Sequence, residues 1–283
     1  MRKLLISIMA VGCMVTANAQ GLKDAMGKYC LIGAAINQWQ SDGQVPEADV
    51  VIDKHFNCAV AENCMKPESL APAEGIFDFR TADKFVNYCQ QHNLKIIGHC
   101  LVWHSQAPDW WFTNGYTASP ASKEVLKERL IKHIKTVVGH YKGQIHNGLD
   151  YPELDEYEKS IDAFAACGVK VMITELDLNV LPNPEGFGGA DIAQNFEFQQ
   201  KYNPYATGLT TGKAREIELR WMELFKIYYK HRSQISRINL WGVSDGGSWL
   251  NGWPIKGRTN YPLLFDRQYK EKPVVDEIIN LYK

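Results

Sequence analysis

The chain has 283 residues, 45% of them hydrophobic, which is enough for one large α/β barrel or two ordinary domains and excludes an intrinsically disordered protein. With 31 basic against 32 acidic residues and a formal net charge of -1, it offers no electrostatic case for nucleic acid or an anionic membrane surface as a partner. An uncharged partner is expected, and 8 Trp and 13 Tyr, several of them beside Gly and Pro, favour one that stacks.

Arg2 and Lys3 precede an apolar stretch from Leu4 to Val15, and Ala17, Asn18 and Ala19 offer a small-residue cleavage site before Gln20. Residues 1–19 therefore read as a signal peptide, and the mature protein as exported, periplasmic or extracellular. A lipoprotein anchor at Cys13 is an alternative; a buried first helix is disfavoured because the segment has no amphipathic period. No later apolar run approaches the ~20 residues that a membrane helix needs.

Five short runs without helical period follow: Tyr29 to Ile36, Cys58 to Glu62, Lys95 to Trp103, Val169 to Leu178 and Ile238 to Val243. Each reads as a buried parallel strand. Helical spacing lies between them. Leu126, Leu130, Ile134, Val137 and Tyr141 form one stripe, Ile217, Trp221, Leu224 and Tyr228 another, and Asp155 with Glu158 has capping-box spacing before a helix that stops at Gly168. Alternating β and α segments without a linker or repeat predict one parallel α/β domain over residues 20–283, of the (β/α)8 barrel type. Cys30, Cys58, Cys64, Cys89, Cys100 and Cys167 show no tight framework and read mostly as buried small hydrophobes, with a Cys58 to Cys64 disulfide as an alternative. No His/Cys spacing suggests zinc.

The ends of the strands carry polar and aromatic groups. "AENCMKPE" brings Glu62, Asn63 and Lys66, and "GHCLVWHSQAPDW" brings His99 and Trp103. "VKVMITELDLNVLP" ends an apolar run in Glu175 and Asp177, and "LWGVSDGGSWL" carries Trp241 and Trp249. Singly, each has a plainer explanation as a satisfied core histidine, a packing indole or a solvated turn. Packing does not explain four successive apolar strands that all end in hydrogen-bonding or stacking groups, and in a barrel that rim is the active-site face.

In this order, these strings resemble glycoside hydrolase family 10, the endo-1,4-β-xylanases, over nearly the whole mature chain. The resemblance implies a (β/α)8 barrel, cleavage of β-1,4-xylan with retention of configuration, and neither cofactor nor metal. It implies Glu175 as the nucleophile and Asp177 as an acid supporting it. It implies Glu62, Asn63 and Lys66 as binders of the glycone sugars, His99 and Trp103 as groups around the reacting sugar, and Trp241 and Trp249 as its aromatic cover. Xylan and xylo-oligosaccharides are the expected partners, and a monomer is expected. The chemistry agrees: a retaining glycosidase needs two carboxylates about 5 to 5.5 Å apart. Sugars also present apolar faces to Trp and hydroxyl edges to charged side chains.

The second carboxylate is missing. The family supplies it from a Trp-Asp-x-x-Asn-Glu motif at the end of the fourth strand, and no such motif occurs here. Instead "YKGQI", which leads into the family's fourth strand, runs at His146 and Asn147 directly into "GLDYP", which follows its sixth. At about 30 residues per βα unit, the internal deletion near residues 146–147 removes on the order of 60 to 90 residues, strands four to six, and leaves about five strands to be assigned. Asp150 and Glu153 are local candidates for a substitute acid, whereas Asp155 and Glu156 suit the first turn of a helix. Two functions follow: an endo-xylanase by descent whose chain is impaired, or a noncatalytic, degenerate xylan-binding protein that keeps the glycone half of the cleft. A different barrel glycosidase such as a cellulase is disfavoured by the four strings.

Overall fold

The computed structural model describes residues 20–103, 105–115, 119–141, 145–146, 154–187 and 193–283. The expected signal peptide, Cys13, Asn147, Asp150 and Glu153 lie outside them. In chain order the elements are α1 (Leu22–Met26), β1 (Leu31–Ile36), α2 (Gln38–Ser41), α3 (Pro46–His55), β2 (Cys58–Ala61), α4 (Pro67–Leu70), α5 (Arg80–Gln91), β3 (Lys95–Ile97), α6 (Lys123–His140), β4 (Ile145–His146), α7 (Leu154–Ala166), β5 (Val171–Leu176), α8 (Thr211–Lys230), β6 (Ile235–Leu240) and α9 (Val274–Leu281).

Local chemistry explains several boundaries. The Ser122 hydroxyl accepts from the Val125 N–H to start α6, and the Thr210 hydroxyl accepts from the Lys213 N–H to start α8. Pro46 and Pro67 open α3 and α4, where the missing N–H is not needed. α7 begins at Leu154 and so includes Asp155, one residue earlier than the expected capping box would start it, and the Glu158 carboxylate accepts from Lys230 Nζ at 2.6 Å and contacts His231 at 2.8 Å.

The strands pair in parallel in the order β4-β3-β2-β1-β6-β5. Their outer face, including Ile32, Ala34, Ala59, Ile96, Ile238 and Leu240, packs into the large core beneath the helices. Ala35, Cys58, Val60, Ile97 and Trp241 form a smaller cluster on the inner face. Gly33 is required between the two innermost strands, since a Cβ there would lie 2.2 Å from the Cys58 carbonyl oxygen. Burial on both faces is the mark of a parallel sheet, and β1 and β2 show it along almost their whole length.

The sheet is an incomplete (β/α)8 barrel. Beyond the five strands expected there is a sixth, β4, only two residues long, so a stub of the fourth strand survives before the junction. The two edge strands, β4 and β5, immediately precede and follow that junction in the chain. The opening in the barrel therefore falls between the strands on either side of residues 146–147, the place where the sequence reading expects a missing segment. Partial exposure of Val171, Met172 and Glu175 on the edge strand β5 fits an arc with no neighbour on one side. Two boundaries differ from expectation. The third strand stops at Ile97, because the chain leaves the sheet at Gly98 to build the rim, and the last begins at Ile235, because its polar residues Ser236 and Arg237 disguise a strand. Cys58 and Cys64 are free thiols, not a disulfide, and Cys30, Cys58 and Cys89 are buried as small hydrophobes while Cys167 is exposed.

Candidate active site

Parallel strands deliver their C-terminal ends to one rim, and all nine residues singled out in the sequence sit there. Glu62 follows β2 directly, and its N–H donates to the Ile36 carbonyl at 3.2 Å, tying the end of β2 to that of β1. Burial pushes its carboxyl above the ordinary value, against the opposing charge of Lys66 and a 3.3 Å hydrogen bond from the Asn63 amide.

Lys66 is the hub of this side. It is 5% exposed, and its ammonium donates to Asn63 Oδ1 at 2.9 Å and to Gln106 Oε1 at 2.6 Å while lying 4.5 Å from the centre of the Trp103 ring. Burial lowers its pKa, and Cys100, Glu62, Glu175 and Glu68 oppose that shift. One buried cation is thus shared electrostatically between Glu62 and Glu175, the carboxylates at the ends of β2 and β5.

His99 Nε2 lies 3.5 Å from Glu175 Oε1, and the imidazole meets Trp241 edge-on at 5.1 Å and Trp103 at 6.4 Å. Burial, reinforced by the Lys66 charge, lowers the His99 pKa to about 4. At neutral pH the ring is therefore uncharged, and its contact with Glu175 is a long, weak approach of a neutral imidazole and not an ion pair.

Glu175 and Asp177 lie two residues apart at the end of β5. The register of β5 against β6 slips between Ile173 and Leu176, an irregularity of the kind that re-aims a side chain beside a site. Asp177 accepts the indole N–H of Trp249 at 2.8 Å, and Trp249 stacks on Trp253 at 4.6 Å and 18°. The Trp249 ring is thereby held by its edge and one face. Trp241 differs from expectation: at 8% exposure it joins the inner cluster and forms a floor beneath His99 more than a cover.

Two contributors escaped the sequence reading. Gln106 anchors Lys66 from the loop after β3, with a left-handed backbone (φ 48°) and a carbonyl accepting the Glu68 N–H at 3.0 Å. Trp253 backs Trp249. Both lie within or just beyond the quoted strings, but only their tertiary contacts reveal them. On the opposite side, the fourth strand ends at His146 in the two-residue β4, and of the local carboxylates Asp155 and Glu156 fall within α7. Among the described residues no three His, Cys, Asp or Glu side chains converge as metal ligands.

The profile of Glycosyl hydrolase family 10 matches residues 21–147 and, separately, residues 143–281, two stretches that meet at the junction. The chain is 38% identical to Endo-1,4-beta-xylanase A of Xylanibacter ruminicola, over 352 aligned positions and 95% of each chain. That alignment is longer than this chain's 283 residues, so dozens of the relative's residues have no counterpart here. It is 26% identical to Endo-1,4-beta-xylanase B of Paenibacillus barcinonensis, covering 85% of this chain and 92% of that one. It spans only 31% of the length of Endo-1,4-beta-xylanase C from the same organism. Among solved structures, a GH10 endoxylanase retrieved from sugarcane soil metagenome matches with a TM-score of 0.84 and 31% identity, covering 92% of this chain and 100% of that one. Xylanase B from Clostridium stercorarium F9 matches with a TM-score of 0.77 at 26% identity, over 93% and 100% of the two chains.

Proposed function

The chain belongs to glycosyl hydrolase family 10, and from that premise we propose that it is an endo-1,4-β-xylanase by descent, retaining in mechanism and impaired in this form. The observation that carries the proposal is the set of rim contacts linking Glu175 to His99, Asp177 to Trp249, and Lys66 to Asn63 and Gln106. In this reading, Glu175 Oε attacks the anomeric carbon of a bound xylose, the bond from that carbon to the leaving oxygen breaks, and its electron pair stays on that oxygen. His99, being neutral, takes no charge from the nucleophile. Lys66, Asn63 and Glu62 hold hydroxyls on the glycone side, and the Trp249 face takes an apolar ring face.

The impairment is inferred from the short fourth strand and the absent acid motif. A sugar alkoxide needs a proton to leave, and the motif that supplies it belongs at the end of the strand reduced here to Ile145–His146. That stub also favours a second reading, a noncatalytic xylan-binding protein that keeps only the glycone half of the cleft. We further propose export under direction of residues 1–19 and a monomeric mature chain. The two functional readings separate on exposure to a fluorinated xylobioside with a good leaving group, followed by peptide mass spectrometry. The first predicts one glycosyl adduct on Glu175, lost in Glu175→Gln while xylotriose still binds. An adduct on another residue would sink the assignment, and binding with no adduct at all would favour the second reading.

A further inference from the structure

Outside the catalytic rim, one surface combines an unexplained aromatic with uncommitted polar groups. Trp39 on α2 is 65% exposed, while the folding core has no use for an indole in water. It is held rigidly. The Asn37 and Gln40 side chains cap the turn reciprocally, the Gln38 amide donates to Asp42 Oδ1 at 2.8 Å, and the Trp39 carbonyl accepts the Gln44 N–H at 2.9 Å. A fixed backbone holds the position from which the ring can reach a ligand.

The residues just after Trp39, namely Ser41, Asp42 and Gln44, border a groove of about 410 Å³ against the outer face of α5. Gln44, Asn87 and Gln91 line it with side-chain amides that hydrogen-bond to no other described residue, and Asn87 and Gln91 stand one helical turn apart on the same face of α5. Among the described residues that line it, the charged pair Lys84 and Asp42 neutralise each other at 3.2 Å, and the Tyr88 hydroxyl is already committed to Asp49. Free amides, no net charge and an exposed ring suit a neutral ligand with hydroxyl edges and apolar faces; they do not suit an anion or an apolar peptide. The groove starts where α2 follows the rim end of β1, beside the β2 end that carries Glu62.

We propose that this flank, with Trp39 at its head, is a second binding site for a β-1,4-linked pentose chain, holding polymeric xylan outside the catalytic cleft. It rests on the xylan reading of that cleft. The test compares the unaltered chain with Trp39→Ala and with the surface double variant Asn87→Ala/Gln91→Ala. Affinity for the polymer is read from retardation in native gels containing soluble arabinoxylan, and affinity for the cleft from calorimetric titration with xylotriose. Both variants are expected to bind the polymer about fivefold or more weakly while keeping xylotriose affinity within about twofold. Unchanged retardation in both variants, with the unaltered chain retarded, would overturn the flank site and leave the cleft standing. An unaltered chain that binds neither polymer nor xylotriose would overturn the xylan reading, and the flank site with it.

Discussion

Replacing Lys66 by Met keeps the length of its stem and removes only the ammonium, so the change reports on what the buried charge does. The ammonium makes charge-assisted hydrogen bonds to Asn63 and Gln106 and lies over Trp103. Losing them costs about 1.5 to 3 kcal/mol apiece, whereas relieving the burial of an ammonium returns several kcal/mol. The two effects offset, Gln106 retains its 3.2 Å hydrogen bond to Glu68, and the net change in fold stability is expected within about 1 kcal/mol. Ligand binding has no such offset. A sugar hydroxyl that accepted from Lys66 finds a methyl group, and xylotriose affinity should fall by about 1 to 3 kcal/mol, or roughly 5- to 150-fold in Kd. The charge has a second signature. Because Lys66 helps to hold the His99 pKa down, Lys66→Met should raise it from about 4 toward its ordinary value, which a histidine NMR titration reads directly. It should also let the Glu62 carboxyl rise further, since Lys66 opposes that shift. Unchanged xylotriose affinity together with an unmoved His99 titration would refute the placement of Lys66 at the centre of the glycone side.

Further outcomes follow from other contacts. Trp249→Ala should weaken xylotriose binding about 5- to 20-fold, and Trp249→Phe by less, because Phe keeps a smaller stacking face while losing the N–H held by Asp177; equal affinity for all three chains in calorimetry would put the aromatic cover elsewhere. Acid should destabilise the fold well above the carboxylate range. His55, His99 and His133 are each lowered to about 4 by burial, so below about 6.5 the unfolded chain takes up protons that the folded chain refuses. Stability is therefore full above pH ~6.5 and falls as pH drops toward 4, by about 1.4 kcal/mol per pH unit for each histidine. Glu62 and Asp245, raised by burial, take up protons in the folded state and partly oppose the loss. Urea midpoints measured from pH 7 to pH 4.5 read the slope, and a flat profile would show that these histidines titrate normally.

Much of this arrangement is legible in the sequence because the strands have a simple physical signature. Apolar runs without helical period, such as those ending at Ala61 and Leu176, have few alternatives to a buried parallel strand, and a carboxylate at the end of such a run is conspicuous. The missing arc is legible too, as a motif that fails to appear between Tyr141 and Tyr151. Contacts between segments distant in the chain are not legible. Nothing in the string around Gln106 says that its amide closes on Lys66, 40 residues away, or that Trp253 will lie flat on Trp249. Local cues also mislead where a second role competes. "GHCLVW" is apolar enough to extend the third strand, yet Gly98 and His99 turn out of the sheet to form the rim. Arg237 hides the start of the last strand because a charged residue there is buried inside the barrel, at a pKa lowered by that burial.

The central claim, an intact nucleophile facing a missing acid, is tested most directly by comparing two substrates whose leaving groups differ in their need for a proton. Removing acid catalysis costs about 10² to 10⁴-fold, and the loss is greatest for a poor leaving group such as a xylose alkoxide. The purified 283-residue chain is expected to release negligible reducing sugar from xylan. On an activated aryl xylobioside it should still form the glycosyl-enzyme, which accumulates and is released faster when azide is added. Hydrolysis of xylan at the rate of an ordinary enzyme, about 1 to 10³ per second, would contradict the account and mean that another carboxylate donates the proton, with Asp150 and Glu153 the first to replace.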